Sequence, residues 1–406
     1  MTRRGWLMAW SRNWRPLRSG KEGKTVSVLS TQYSVLGTQY SVLELPLPLD
    51  LRFVYNSPLP QPENLVSSLR LEAEVLSLRT KYPFRIARHE HFEVRTVLVK
   101  LRDADGVEGW GEATPQRFYG ETPETVLAAL DLYSTALPEN PFHIDAAERR
   151  WELLLAGNNS ARAALSTALY DLAGKRLGVP VHRLWGLNPA AAPRSTFTIG
   201  IDTAEMIRQK TREAESYPIL KIKLGSDRDR EILQAIRDVT DKELRVDANC
   251  GWTVKQTIRM LPVLEEFGVT VLEQPLVPED LDGLGEIRRQ SRIPLIVDES
   301  CLTSVDIPRL VGRVDGINIK LAKCGGLSEA IRMIHIARAH HLMVMVGCMV
   351  ETSIAITAAA QFTPLVDIVD LDGAALLAED PYAGASIDGG QLVLPSGPGL
   401  GVTARH

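Results

Sequence analysis

The chain has only four cysteines, Cys250, Cys301, Cys324 and Cys348, and no CxxC pair among them. Thiols so few and so far apart do not make a disulfide framework, and their spacing is not that of a zinc site. A reducing, cytoplasmic setting is expected, with the cysteines as small apolar fillers near strand ends. Basic charge is not in excess either: the net charge of −4 excludes a scaffold held to nucleic acid by a basic surface. An unbroken membrane-spanning run is also missing. The most apolar stretch, Leu342 to Ala360, is interrupted by Glu351, Thr352 and Ser353. The start, MTRRGWLMAWSRNWRPLRSG, is basic but lacks the apolar segment of a signal peptide. What is present, 45% hydrophobic and 24% charged residues in a chain of 406, suits a globular enzyme long enough for two domains.

Residues 1–63 differ from the rest. They hold a tandem repeat, TQYSVLG then TQYSVL, followed by the proline-rich LPLPLD and NSPLPQPEN. That composition predicts an unstructured extension, or a start codon assigned too far upstream. Over residues 64–186 the pattern sharpens. LEAEVLSLRT and HFEVRTVLVKLRDADGVEGWGEA alternate polar and apolar residues around a turn at Asp105-Gly106, which predicts antiparallel strands. Helices are predicted from Thr122-Pro123-Glu124, with Thr122 as N-cap, over 146–156 with Asp145 as N-cap, and over 160–177. This is a small α+β domain.

From about residue 187 a second rhythm begins: FTIGI, ILKIKLG, LRVDAN, VTVLEQP, PLIVDES, GINIKL, LMVMVG and VDIVDLD. Markers near their ends are Thr198, Lys223, Asp247, Glu273, Asp298, Lys320, Gly347 and Asp370, at gaps of 25, 24, 26, 25, 22, 27 and 23 residues. A strand, a loop and a helix need about that length. Eight such units over 187–372 predict a parallel β/α barrel. A doubly wound sheet would show a glycine-rich phosphate turn after its first strand, and FTIGIDT has none.

In such a barrel the C-terminal strand ends share one mouth, where catalytic groups sit. Consecutive units bring Asp247, Glu273 and Asp298 there, with Asn249 on the face of Asp247. Three converging carboxylates repel one another unless a cation lies between them. Hard oxygen donors without cysteine or histidine select magnesium or manganese. Lys221 and Lys223 point the same way from one strand, and the like charge of Lys221 works against the charged form of Lys223. Across the mouth, Asn318 and Lys320 share a face. Lys323 lies just beyond, where a solvated supporting group is the simpler reading. A cation flanked by two lysines suits removal of the proton beside a carboxylate. The cation stabilises the enediolate, one lysine takes the proton, and the other returns one to the opposite face.

The ordered set KIKLG, RVDANCGW, LEQP, VDES and NIKLAKCGG resembles the enolase superfamily, specifically its muconate-lactonizing subgroup, over roughly residues 68–405. The resemblance implies a capping domain on a modified (β/α)7β barrel, with residues 373–406 returning to the cap. It places Asp247, Glu273 and Asp298 as magnesium ligands, Lys223 and Lys320 as the acid/base pair, and Lys221 as the lysine that tunes Lys223. DLD, with Asp370 and Asp372 on one face, is similar to the DxD by which dipeptide epimerases hold the substrate's α-ammonium group. Thr198 matches a threonine near the substrate. KYPFRIARHEH, residues 81–91, matches the cap's specificity loop, where Ala-Glu epimerases carry an arginine. That position falls on His89, beside Arg88, and FYGET, residues 118–122, joins the same lid.

The function expected is therefore epimerisation of an L,L-dipeptide at the carbon beside its C-terminal carboxylate. Same-family alternatives are N-acylamino acid racemisation, o-succinylbenzoate synthesis and cycloisomerisation. An inactive barrel serving as a binding protein is the alternative from another class. A small-molecule dipeptide is the expected partner, with no nucleic acid and no membrane. Members of the family are often oligomers of identical chains, and no sequence feature marks an interface.

Overall fold

The computed structural model describes residues 12–17, 26–35, 38–44 and 69–405. It divides into two compact units, 1–64 and 65–406. In the first, strands β1 (Arg12–Leu17), β2 (Val26–Val35) and β3 (Thr38–Glu44) pair antiparallel. The two copies of the repeat face each other, Thr31 opposite Val42 and Val35 opposite Thr38. Valine, threonine and tyrosine at these positions suit a strand. The other residues of 1–63, the stretch expected to be unstructured, lie outside the described residues.

The second unit begins with antiparallel strands β4 (Arg70–Arg85), β5 (Glu90–Arg102) and β6 (Glu108–Ala113). Their turn falls at the expected Asp105-Gly106: Asp103 accepts the backbone N–H groups of Asp105 and Val107 at 3.0 Å, and Gly106 takes φ +83°. Helices α1 (Pro123–Ser134), α2 (Ile144–Leu154) and α3 (Asn159–Leu177) follow. Thr122 caps α1 as predicted, accepting the N–H of Thr125. The prediction for α2 is corrected. His143, not Asp145, precedes the helix, and Asp145 lies in its first turn, where a carboxylate meets the positive end of the helix dipole. Helix α3 packs directly on β6, since a Cβ at Gly111 would lie 2.0 Å from the Ala164 carbonyl oxygen.

Eight parallel strands follow: β7 (Phe197–Ile199), β8 (Ile219–Lys223), β9 (Glu243–Asp247), β10 (Val269–Glu273), β11 (Leu295–Val297), β12 (Gly316–Ile319), β13 (Met343–Gly347) and β14 (Ile368–Asp370). Each pairs with its sequence neighbours, and Ser195 bridges Val369 to bring the first strand against the last. Helices lie in each of the seven connections. This is the expected (β/α)7β barrel. Its interior is layered by strand alternation. Val271, Ile296, Met345 and Ile368 form an apolar cluster, and two residues further along the same strands come Glu273, Asp298, Gly347 and Asp370. The tail then returns to the cap: Gly399 exchanges backbone hydrogen bonds with Val179 and Val181, and the Leu400 N–H donates to Asp171 of α3 at 2.7 Å. Among the described residues, no helix is long and apolar enough to cross a membrane.

Two carboxyl groups meet where the cap touches the barrel. Glu112 on β6 accepts the Thr352 hydroxyl at 2.6 Å, and Glu351 accepts the Thr114 hydroxyl at 2.9 Å. Burial, then the charge of Glu112, pushes Glu351 up to about 8. An acid raised by folding stabilises the fold fully below its ordinary value of 4.5, and that contribution is lost as pH rises to about 8. Glu351→Gln is thus expected to be more stable than the parent near pH 8. The margin should shrink by about 1.4 kcal/mol per pH unit as pH falls toward about 5. Urea unfolding at a series of pH values reads this, and a margin independent of pH would contradict it.

Candidate active site

The strand ends carry the predicted side chains to one place. Lys221 and Lys223, two apart on β8, both enter the barrel mouth. Lys223 Nζ lies 2.6 Å from Asp247 Oδ2, and Lys221 Nζ lies 2.7 Å from both Glu273 Oε2 and Asp370 Oδ2. From the far side, Lys320 Nζ lies 2.8 Å from Asp298 Oδ2. Lys320 has room because its neighbour on β13 is Gly347: a Cβ there would sit 2.8 Å from the Asn318 amide and 3.1 Å from Lys320 Cε. Asn249, at φ +43°, turns back so that its N–H and side-chain amide both donate to Asp247, at 2.8 and 3.1 Å. Asn318 donates to Glu273 at 2.8 Å.

Charge decides how these groups are held. Burial works against every charged form here. At Asp298 the ammonium groups of Lys320 and Lys323 overcome it, and at Asp247 those of Lys223 and Lys221 do, so both acids stay below the ordinary carboxylate range. Glu273 goes the other way, pushed up to about 7 by burial and the charge of Asp247. Burial would lower Lys221, but Asp370, Glu273 and Asp247 outweigh it and hold its ammonium well above normal.

Asp370 and Asp372 form a separate acidic corner. Asp370 accepts the Thr196 hydroxyl and Lys221, while Thr198 donates its N–H to Asp372 at 2.5 Å and its hydroxyl at 3.2 Å. Burial, then Asp370, raises Asp372 to about 7. A cavity of about 90 Å³ joins the groups. Thr198, Lys221, Lys223, Asn249, Asp298, Lys320, Asp370 and Asp372 line it from the barrel, and Arg88, His89 and Tyr119 from the cap. Asp247 and Glu273 are buried beside it and do not line it.

Residues 70–186 match the family described as Mandelate racemase / muconate lactonizing enzyme, N-terminal domain, and residues 202–406 match Enolase C-terminal domain-like. An L-Ala-D/L-Glu epimerase of Bacteroides thetaiotaomicron is 41% identical over 327 residues, 80% of this chain and 85% of that protein. An L-Ala-D/L-amino acid epimerase of a Maribacter species is 39% identical over 346 residues, 83% of this chain and all of that protein. The crystal structure of a dipeptide epimerase from Enterococcus faecalis, complexed with Mg and the dipeptide L-Leu-L-Tyr, superposes with a TM-score of 0.78 at 32% identity, covering 83% of this chain and 99% of that one. The chain belongs to the dipeptide epimerase family of the enolase superfamily.

A dipeptide epimerase of this superfamily calls for a divalent cation, and the donor set fits one. Six acid groups, Asp247, Glu273, Asp298, Glu299, Asp370 and Asp372, face four lysines and Arg88, so hard oxygen donors are plentiful. The buried oxygens Asn249 Oδ1 and Glu299 Oε2 take no hydrogen bond, and they are hard donors of the kind magnesium prefers. Asp247, Glu273 and Asp298 do not close into a three-carboxylate cluster. None is found among the described residues, and each of these acids leans instead toward a lysine.

One expectation is corrected. Lys323 is not solvated. The short helix Leu321–Cys324 folds it under the strand ends, where its ammonium group lies 2.5 Å from Asp298 Oδ1 and donates to the carbonyls of Asp298, Cys301 and Asn318. The cap pair does not offer a free cation. Arg88 is committed to Glu299 at 2.6 Å and the Asn249 carbonyl at 2.9 Å, with its guanidinium 4.1 Å from the Phe118 ring centroid. His89 is lowered to about 4 by burial and then by His91, and is neutral at neutral pH. Sequence reasoning missed Glu299, although VDES contains it, because its partner Arg88 is 211 residues away. It also missed Gln274, whose side-chain oxygen accepts the N–H groups of Asp298 and Ser300 at 2.9 and 3.1 Å and ties adjacent strand ends together.

Removing Lys323 would leave the Asp298 carboxylate short of one counter-charge and take a donor from the buried carbonyls of Asp298, Cys301 and Asn318. Lys323→Met is expected to cost about 3–5 kcal/mol of unfolding stability, measured by urea denaturation. A loss below about 1 kcal/mol, typical of an exposed pair, would refute the buried role.

Proposed function

We propose that the chain is a magnesium-dependent epimerase of L,L-dipeptides, inverting the α-carbon beside the C-terminal carboxylate by proton transfer between two lysines. The observation that carries this reading is the placement of Lys223 and Lys320 on different walls of one small cavity, with the acidic corner of Asp370 and Asp372 at a third. A racemase acting on N-blocked amino acids would have no use for that corner.

Asp247, Glu273 and Asp298 would hold the cation, with Asn249 and Glu299 beside them. When bound, it would neutralise the charge that builds on the substrate carboxylate as the α-proton leaves. Asp370 and Asp372 accept hydrogen bonds from the substrate's α-ammonium group, and Thr198 keeps Asp372 aimed. Of Lys223 and Lys320, the one that enters the turnover neutral takes the α-proton from its face, and the other, as an ammonium, gives a proton to the opposite face. After one turnover the two lysines have exchanged protonation states, so they must exchange protons with solvent before the next L,L substrate. Lys221 remains an ammonium, fixed among Asp370, Glu273 and Asp247, and positions that wall. The four free thiols suit a reducing cytoplasm.

Incubation in heavy water with magnesium and pooled L,L-dipeptides is expected to add one deuteron to particular dipeptides, read by mass spectrometry. Lys223→Ala and Lys320→Ala should each lower the rate by at least about 10²–10⁴-fold, and chelation should abolish it until magnesium is restored. Exchange confined to N-acyl or N-succinyl amino acids would move the chain to the racemase branch. No exchange with either class would end the reading.

A further inference from the structure

Beside the reaction cavity lies a second one, of about 170 Å³. The two share Phe84, Thr198 and Leu376. The second is walled by Tyr82 from the cap and by Phe197 and Tyr217 from the barrel, the last two with ring centroids 4.8 Å apart. Charged groups stand at its rim, but each is already matched. Glu213 accepts the Tyr82 hydroxyl at 2.6 Å and the Lys81 ammonium at 2.9 Å, and Lys210 donates to Asp202 at 2.8 Å. The chamber therefore presents aromatic faces and no uncompensated charge.

Its position relative to the acidic corner gives it a use. Thr198 lines both cavities and donates to Asp372 through its N–H and its hydroxyl. Tyr217 stands close enough to Asp372 that, after burial, the carboxylate's charge helps push the phenol up to about 12. An α-ammonium group and the side chain of the same residue hang from one carbon. A first residue held by Asp370 and Asp372 thus has its side chain at the mouth of this chamber.

We infer that the second cavity is the subsite for the side chain of the dipeptide's first residue, and that it selects a large apolar or aromatic side chain. This rests on the dipeptide reading above. Size supports it: an apolar cavity of about 150 Å³ accepts a benzene ring, so a leucine or phenylalanine side chain fits where an alanine methyl leaves most of the space unfilled. Differences of one methylene in such a pocket change kcat/KM by about 10–200-fold.

The test is kcat/KM for a series with alanine second and alanine, valine, leucine or phenylalanine first. Leucine and phenylalanine are expected to exceed alanine by at least about tenfold. Ala375, exposed at the rim in the turn Gly373–Leu376, is the place to plug the chamber. Ala375→Trp should reduce the phenylalanine-to-alanine ratio at least about tenfold. As a second variant, Tyr217→Ala should enlarge the chamber and shift the preference toward tryptophan first. If dipeptides are epimerised but alanine-first substrates are best, or neither variant moves the ratio, the subsite assignment falls and the epimerase reading survives. If no dipeptide is epimerised, both fall.

Discussion

The site depends on a lattice of buried lysines and carboxylates at the mouth of the barrel. No member of it would be stable alone in that surrounding. An unpaired ammonium or carboxylate moved out of water costs several kcal/mol, and Lys221, Lys223, Lys320 and Lys323 all lie buried. Each is kept by an acid from a neighbouring unit: Asp247, Glu273, Asp298 or Asp370. The lattice thus crosses from strand to strand, and it exists only if the barrel closes in the right register. In the same way, a chemistry that needs two lysines on different sides of one carbon requires the lattice to be complete.

The apolar layer beneath supplies the rigidity. Val271, Ile296, Met345 and Ile368 fill the barrel two residues below the charged layer. The alternation that buries them also sets the spacing of the charges above, because side chains two apart on a strand share a face. The cap closes the cavity with Arg88, His89 and Tyr119, whose charges are paired off or suppressed. In the proposed reaction, the acidic corner at Asp370 and Asp372 is the part of the wall that meets the substrate's ammonium group.

Much of this was legible in the sequence, because the barrel repeats. Eight markers at nearly equal gaps, seven of them polar and one a glycine, announce eight strand ends, and the strands end where Lys223, Asp247, Glu273 and Asp370 stand. Local signals also worked where the physics is local: the Thr122 cap and the Asp105-Gly106 turn depend on a few adjacent residues. Pairings between distant segments left no such trace. The commitment of Arg88 to Glu299 spans 211 residues, and that of Glu351 to Thr114 spans 237. Lys323 misled for another reason. A lysine a few residues beyond a strand is normally solvated, and only the tight turn of Leu321–Cys324 buries it. The first turn of α2 misled because Asp145 serves nearly as well inside a helix N-terminus as in front of it.

The hydrogen bond from Leu400 to Asp171 links residues 229 positions apart. Asp171 also accepts the Trp110 N–H of β6 and the Lys175 ammonium of its own helix. On a ribosome, every cap strand and helix emerges long before Leu400 does. The cap must therefore wait, its α3 carboxylate one donor short, while the whole barrel is made. Its final fastening is among the last contacts the chain can form, so the lid over the cavity is secured only once the chemistry beneath it is in place.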